Sequence, residues 1–249
     1  MPKNAPKFVR GRMQSTPLLI SGLIEHAANY HRDREIVSRL PEIPTGPLHR
    51  TNYGELHLRS KQLANALMNE LGVSQGTVVG TMAFNHFRHL ECYYGVSGIG
   101  AILHTVNPRL FLDQIEYIVN HGEDDVLFVD PATVPQLLQL LDRKTMQCRK
   151  FVIMTDEAHM PKDARLKAPG LHVWCYETLL ARHSNQLQWP VFDENTASSL
   201  CYTSGTTGNP KGVLYSHRST ILHTFAICMT DVLTLSSGDT ALAIVPLFH

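Results

Sequence analysis

The stretch "CYTSGTTGNPKGVLYSH", residues 201–217, sets hydroxyl side chains, glycines, a proline and a single lysine, Lys211, between two short apolar runs. Backbone N–H groups near glycines can converge on an anion where no Cβ blocks the approach, and Gly205, Gly208 and Gly212 supply that freedom. Thr203, Ser204, Thr206 and Thr207 add hydroxyl donors, Asn209 and Pro210 lead into the lysine, and Lys211 adds a mobile positive charge. Such a set suits a polyphosphate. It is not the GxxxxGK[ST] loop, because counting from Gly205 puts Pro210 at the second glycine and Gly212 at the magnesium hydroxyl. The residues that follow favour a strand, whereas that loop needs a helix N-terminus aimed at the phosphates. The dinucleotide fingerprint GxGxxG is absent as well.

Working outward, Ser199 to Tyr202 and Gly212 to Tyr215 read as strands flanking the loop. Ser216 then caps a helix whose inner face carries Ile221, Leu222, Phe225 and Met229. Upstream, short apolar runs alternate with longer stretches of helical period, the mark of an α/β fold with parallel strands and right-handed crossovers. Asn52 with Glu55 resembles a capping box, and Leu56, Leu63, Leu67 and Leu71 form one helical face that ends at Gly72. Strands are predicted at 77–83, 102–106, 126–129, 151–155 and 173–176, and helices at 88–98, 113–120, 134–141 and 178–182. The polar stretch Ser184 to Asn195, with Pro190, reads as a connection. It divides the chain into a first α/β subdomain, 1–190, and the beginning of a second, 191–249. The fold class is a parallel sheet in αβα layers.

Lys plus Arg and Asp plus Glu are equal at 22 each, so no general field favours nucleic acid or an acidic membrane, and an anion must be held locally. No run approaches the ~18 to 20 apolar residues of a membrane span. The apolar stretch after the basic start is too short for a cleaved signal, so the protein is placed in the cytoplasm. Five scattered cysteines carry no zinc or redox spacing and read as reduced, mostly buried thiols. His86 and His89 with Glu91 lack a third ligand and read as solvated or capping residues. Cys92, Tyr93 and Tyr94 read as core, and Asn107-Pro108-Arg109 as a strand-to-helix turn with a structural arginine.

Residues 203–212 meet every position of [ST]-[ST]-G-[ST]-[ST]-G-x-P-K-G, and on that ground the chain resembles the adenylate-forming, AMP-binding superfamily. "RTNYGEL" (50–56), "GVSGIGAILHTVNPRL" (95–110) and "IEYIVNHGEDDVLFVD" (115–130) resemble the same family, the last its fatty-acyl-CoA ligase branch. The resemblance implies a reaction in which ATP activates a carboxylic acid as acyl-AMP and coenzyme A then displaces AMP. Lys211 would be the catalytic cation, Thr203 to Gly212 the nucleotide loop, and Thr203 the Mg²⁺ contact. Phe248 and His249 would border the acyl pocket and the adenylate. The family's magnesium glutamate, ribose aspartate, hinge and C-terminal lysine would lie beyond His249. The chain is therefore expected to be an incomplete N-terminal domain, inactive alone, whose open edge allows a homodimer. The acid stays open between a fatty acid and a short thioether acid such as methylmercaptopropionate. A non-catalytic nucleotide-binding fragment is the reading from another class.

Overall fold

A computed structural model describes residues 11–203 and 209–249. The chain runs α1 (Ile20–Tyr30), β1 (Glu35–Ser38), β2 (His49–Asn52), α2 (Tyr53–Asn69), β3 (Val78–Met82), α3 (Phe87–Gly98), β4 (Ile102–Thr105) and α4 (Leu112–His121). It continues β5 (Val126–Val129), α5 (Val134–Arg143), β6 (Lys150–Ile153), β7 (His172–Cys175), α6 (Tyr176–Ala181), β8 (Ala197–Thr203), β9 (Lys211–Ser216) and α7 (His217–Cys228). Seven strands form one sheet in the order β7-β6-β5-β3-β4-β8-β9, and β1 pairs with β2 in a separate antiparallel ribbon. All neighbours in the large sheet are parallel except β8 and β9. The predicted strands and helices are all present, with ends shifted by a residue or two. The β1–β2 ribbon is new, because its strands are only four residues long and mostly polar.

Helices cover both faces of the sheet from β3 to β6, which gives the expected αβα layers, while β9 is exposed. Val126 and Phe128 of β5 and Val152 of β6 point into a core built with α2, α3 and α6. Leu127, Val129, Phe151 and Ile153 point the other way into a core built with α4 and α5. This alternation is the period of two that a strand imposes, and every residue of β5 is buried because helices lie on both sides.

Helix α2 forms as its sequence predicts. Asn52 accepts the Glu55 N–H at 2.9 Å, and Leu56, Leu63, Leu67 and Leu71 are all buried. The chain leaves the helix at Gly72 with φ +75°. The return arm of the capping box differs: Glu55 accepts from the Thr51 hydroxyl at 2.8 Å. The N-terminus of α1 has no side-chain cap of its own. Glu194 accepts from the Leu18 N–H at 2.8 Å and His217 Nδ1 from the Ile20 N–H at 3.2 Å, so residues flanking β8 and β9 hold this helix.

Helix α7 departs from expectation. It buries His217 and Ile221, while Leu222, Phe225 and Met229 are 44%, 54% and 62% exposed. Among the described residues nothing covers that face. All five cysteines are free thiols; Cys92, Cys148 and Cys175 are buried and Cys228 is exposed. No helix of the described residues is long and apolar enough to cross a membrane.

Charged groups also cross the α2–α3–α6 layer. Arg59 Nε donates to Glu91 at 2.5 Å, Tyr176 OH to Glu91 at 2.6 Å, and Arg88 Nε to Glu177 at 2.7 Å. Arg88 also reaches Glu42 at 2.7 Å and the Met154 carbonyl at 2.9 Å. Burial pushes the Glu91 carboxyl up and the Arg59 guanidinium pulls it back. His86, His89 and Glu91 are therefore not solvated: all three are buried, at 4%, 0% and 0% exposure. Glu91→Ala leaves the buried Tyr176 hydroxyl without its acceptor and Arg59 with Glu177 alone. The expected loss is about 1 to 3 kcal/mol of stability, read as a lower denaturant midpoint. An unchanged midpoint would show that the network contributes nothing net.

Candidate active site

The two described ends of the glycine-rich loop face one another. Thr203 is the last residue of β8, Lys211 the first of β9, and the two are cross-strand partners, with Tyr202 paired to Gly212 behind them. Because β8 runs parallel to β4, Thr203 lies at the carboxyl edge of the sheet, where open α/β sheets bind ligands. Ser204, Gly205, Thr206, Thr207 and Gly208 lie outside the described residues. Thr203, Asn209, Lys211 and Gly212 are exposed and Pro210 is half-buried, so the loop's cation and its entry hydroxyl are accessible from water.

Gly212 is set by packing rather than by backbone freedom. A Cβ there would lie 3.1 Å from Leu200 Cδ1 and 3.2 Å from Tyr202 Cζ, so the Tyr202 ring occupies the space a side chain would need. An aromatic ring lying over a cross-strand glycine stiffens a strand that glycine would loosen. The phenol is fixed in turn. His121 Nδ1 of α4 lies 2.6 Å from the Tyr202 hydroxyl, and the ring of His104 is 5.1 Å away on the neighbouring strand. Burial pushes the Tyr202 phenol up to about 12, so it stays protonated. His104 pairs with Asp124 at 2.7 Å, both inside the sheet layer, and Gly80 leaves the room that the carboxylate fills.

The second predicted cluster is also at the carboxyl edge. Phe248 is 1% exposed and His249 is exposed. The Phe248 ring meets Phe84 edge-on at 6.2 Å and takes the Arg109 guanidinium over its face at 5.7 Å. Phe84 follows β3 and Arg109 follows β4, so the loop ends and Phe248 share one edge of three adjacent strands. The Asn107 side chain accepts the Arg109 N–H at 2.9 Å, which is the turn predicted for Asn107-Pro108-Arg109.

The turn after β3 is held from below. Asp130 at the end of β5 accepts the Phe84 N–H at 2.7 Å and faces His86 Nε2 at 2.6 Å. His89 Nδ1 meets the Phe84 carbonyl at 3.0 Å and Nε2 meets Thr81 at 3.1 Å; burial lowers its pKa to about 4, so the ring is neutral. Phe84, Asn85 and Tyr93 were missed as site residues. Phe84 and Asn85 carry no local signal and Tyr93 reads as core, because their partners all lie far along the chain, between Ala243 and Phe248. Two shallow recesses elsewhere, one along α4 beside Glu116 and Tyr117 and one between residues 11–17 and Glu194, include no residue of the loop motif.

Gly212→Ala tests the role of the ring. The added methyl must push on Leu200 and Tyr202, and an overpacked contact of this kind costs about 1 to 3 kcal/mol. We expect a lower unfolding midpoint, recovered in part when Tyr202→Leu makes room in the same chain. No change in Gly212→Ala would mean that the ring gives way freely.

A profile for the AMP-binding enzyme family matches residues 24–249. The chain is 48% identical over 239 residues to the 3-methylmercaptopropionyl-CoA ligase of Ruegeria lacuscaerulensis and 46% identical over 239 residues to the medium-chain-fatty-acid–CoA ligase of Ectopseudomonas oleovorans. In each case the match takes 96% of this chain and 42% of the relative. It is 41% identical over 237 residues to the long-chain-fatty-acid–CoA ligase of Thermus thermophilus, covering 40% of that protein. The chain thus spans about two fifths of the length of these relatives. Among solved structures, a long-chain-fatty-acid–CoA ligase from Archaeoglobus fulgidus superposes with a TM-score of 0.77 over 98% of this chain and 46% of that one, at 21% identity. With the family profile spanning nearly the whole sequence over a sheet that superposes on such a ligase, this chain belongs to the AMP-binding enzymes.

Proposed function

We propose that the chain is the nucleotide-binding part of an acid–thiol ligase, which uses ATP to turn a carboxylic acid into acyl-AMP and then passes the acyl group to coenzyme A. The observation that carries this reading is the position of the loop. Thr203 and Lys211 pair at the carboxyl edge of the sheet that also holds Phe248. A carboxylate is a poor electrophile because both oxygens share its charge. Attack of one carboxylate oxygen on the α-phosphorus, with loss of pyrophosphate, makes that oxygen part of a leaving group. The thiolate of coenzyme A then attacks the acyl carbon and AMP departs.

Negative charge grows on the departing pyrophosphate in the first step. Donors and a cation already in place stabilise it without reorganising. Lys211 is the catalytic group in this reading; Thr203, Ser204, Gly205, Thr206, Thr207, Gly208, Asn209 and Gly212 offer the phosphates hydroxyls and backbone N–H groups, and Pro210, which has no N–H to give, shapes the backbone before the lysine. Mg²⁺, which neutralises charge on phosphate oxygens, takes hard oxygen ligands and keeps several waters, so the exposed Thr203 hydroxyl fits as its protein contact. Phe248 and His249 would border the acid and the adenylate.

The similarity to fatty-acid–CoA ligases supports a fatty acid as substrate, and the 48% identical relative supports a short thioether acid as the second reading. The reading carries a cytoplasmic location and a subdomain boundary near 190, where the irregular stretch before β8 ends the first unit. The open β9 edge and the uncovered face of α7 support pairing with a second copy. Sedimentation of the chain as a monomer at tens of micromolar would remove that pairing.

Lys211→Ala removes a charge-assisted bond of ~1.5 to 3 kcal/mol, so carboxylate-dependent pyrophosphate exchange by the complete gene product should slow about tenfold to a hundredfold. An unchanged exchange rate across a panel of fatty and thioether acids would refute the role of Lys211. Exchange that no acid stimulates in the parent protein would refute the reaction itself.

A further inference from the structure

We infer that Asn85 is a positioning residue for the acid side of this site: its carboxamide holds the extended segment 243–247 and so sets Phe248 at the carboxyl edge. The inference rests on the ligase reading above for its functional meaning, and on geometry alone for the clamp. Asn85 Nδ2 donates to the Ala243 carbonyl at 2.9 Å and to the Val245 carbonyl at 3.0 Å, and Oδ1 accepts the Leu247 N–H at 2.7 Å. Both donors of the amide and its acceptor are thus spent on one backbone, at alternate residues, as a neighbouring strand would spend them. Tyr93 OH adds a bond to the Leu247 carbonyl.

Little else orders this segment. Residues 241–244 lie outside helix and strand, and Leu242, Ile244 and Val245 are 83%, 81% and 69% exposed. Their side chains therefore bury too little apolar surface to fix the backbone. Three residues after Val245, Phe248 is 1% exposed between Phe84 and Arg109. The hydrogen bonds of Asn85 and Tyr93 join the unanchored stretch to the anchored ring.

Asn85 can do this because the residues on either side of it are tied to the sheet. It sits between Phe84, whose N–H and C=O are taken by Asp130 and His89, and His86, whose ring faces Asp130. A hydrogen-bonded turn after β3 thereby sets where a segment outside helix and strand must lie. In the ligase reading, the ring so placed borders the acid and not the triphosphate. Asn85 then controls how well the acid is held, with little effect on the nucleotide.

The test compares parent, Asn85→Ala and Tyr93→Phe in two measurements. In pyrophosphate exchange by the complete gene product, with decanoate as the acid, Asn85→Ala is expected to raise the KM for decanoate about tenfold and leave the KM for ATP within about twofold. Tyr93→Phe, which keeps the ring and removes one bond, should shift the decanoate KM in the same direction by less. A general loss of folded protein would lower kcat and leave both KM values in place; no change in either KM, or an equal rise in both, overturns the inference. The second measurement is amide hydrogen exchange of this chain, in which Leu247 should lose protection in Asn85→Ala while the amides of β5 keep theirs. If the parent shows no acid-dependent exchange, the ligase reading fails by itself. Leu247 protection still decides the clamp, and equal protection in parent and variant overturns it.

Discussion

The centre of the sheet, β3 to β6, is buried on both faces, and that constraint decides where polar chemistry can sit. Leu127, Phe128, Val129, Phe151, Val152 and Ile153 have no exposed surface, so a polar group inside this layer must find a partner within it. Many do: His104 takes Asp124, His89 takes Thr81 and a carbonyl, and Glu91 takes Arg59 and Tyr176, whereas His104 Nε2 and the Thr155 hydroxyl have no partner among the described residues. Groups paired in this way are committed to the fold. Solvent-accessible donors for a charged substrate are left to the ends of the strands, and the loop between β8 and β9 opens at such an end.

Within that edge the crevice between β3 and β5, where the connections diverge to opposite faces, is already filled. Asp130 spends its carboxylate on the Phe84 N–H and on His86, and Thr133 donates to the Met82 carbonyl at 2.9 Å. An α/β sheet commonly offers this crevice to its ligand. Here it serves as a foundation for the turn that carries Phe84 and Asn85. The candidate site is displaced toward β4 and β8, between the arginine that follows one strand and the threonine that ends the other. Neutral overall charge fits this arrangement, because a single exposed lysine can act locally without a general basic field.

Much of this was legible in the sequence, for identifiable reasons. The cap at Asn52 and the leucine face of α2 are local signals within one helix, and the β5 run VLFV is apolar throughout because both faces are covered. The loop was legible because its chemistry is written in consecutive residues. Residues whose meaning depends on distant partners were not legible. His86, His89 and Glu91 look like surface groups until Asp130, Thr81 and Arg59 are brought to them, and the structural reading of Arg109 gains its partner only when Phe248 lies under the guanidinium. The apolar residues of α7 were read as an inner face from their spacing alone. Spacing gives the stripe but not the element that covers it.

The position of Lys211 follows from strand pairing and not from the helix that comes after it. Helix α7 buries only His217 and Ile221, so it can contribute little to holding β9. What holds β9 is β8: the register from Ala197–Ser216 to Thr203–Lys211, the Ser198 hydroxyl donating to the Tyr215 carbonyl at 3.0 Å, and Tyr202 and Leu200 packed over Gly212. Strand β8 in turn is fixed on β4 by three registered pairs and on α4 through His121. The lysine therefore inherits its place from the interior of the sheet through one tyrosine and one glycine. Glycine after the lysine relieves this packing: a Cβ there would lie 3.2 Å from the ring that steadies the strand and 3.1 Å from Leu200, so both would have to give way.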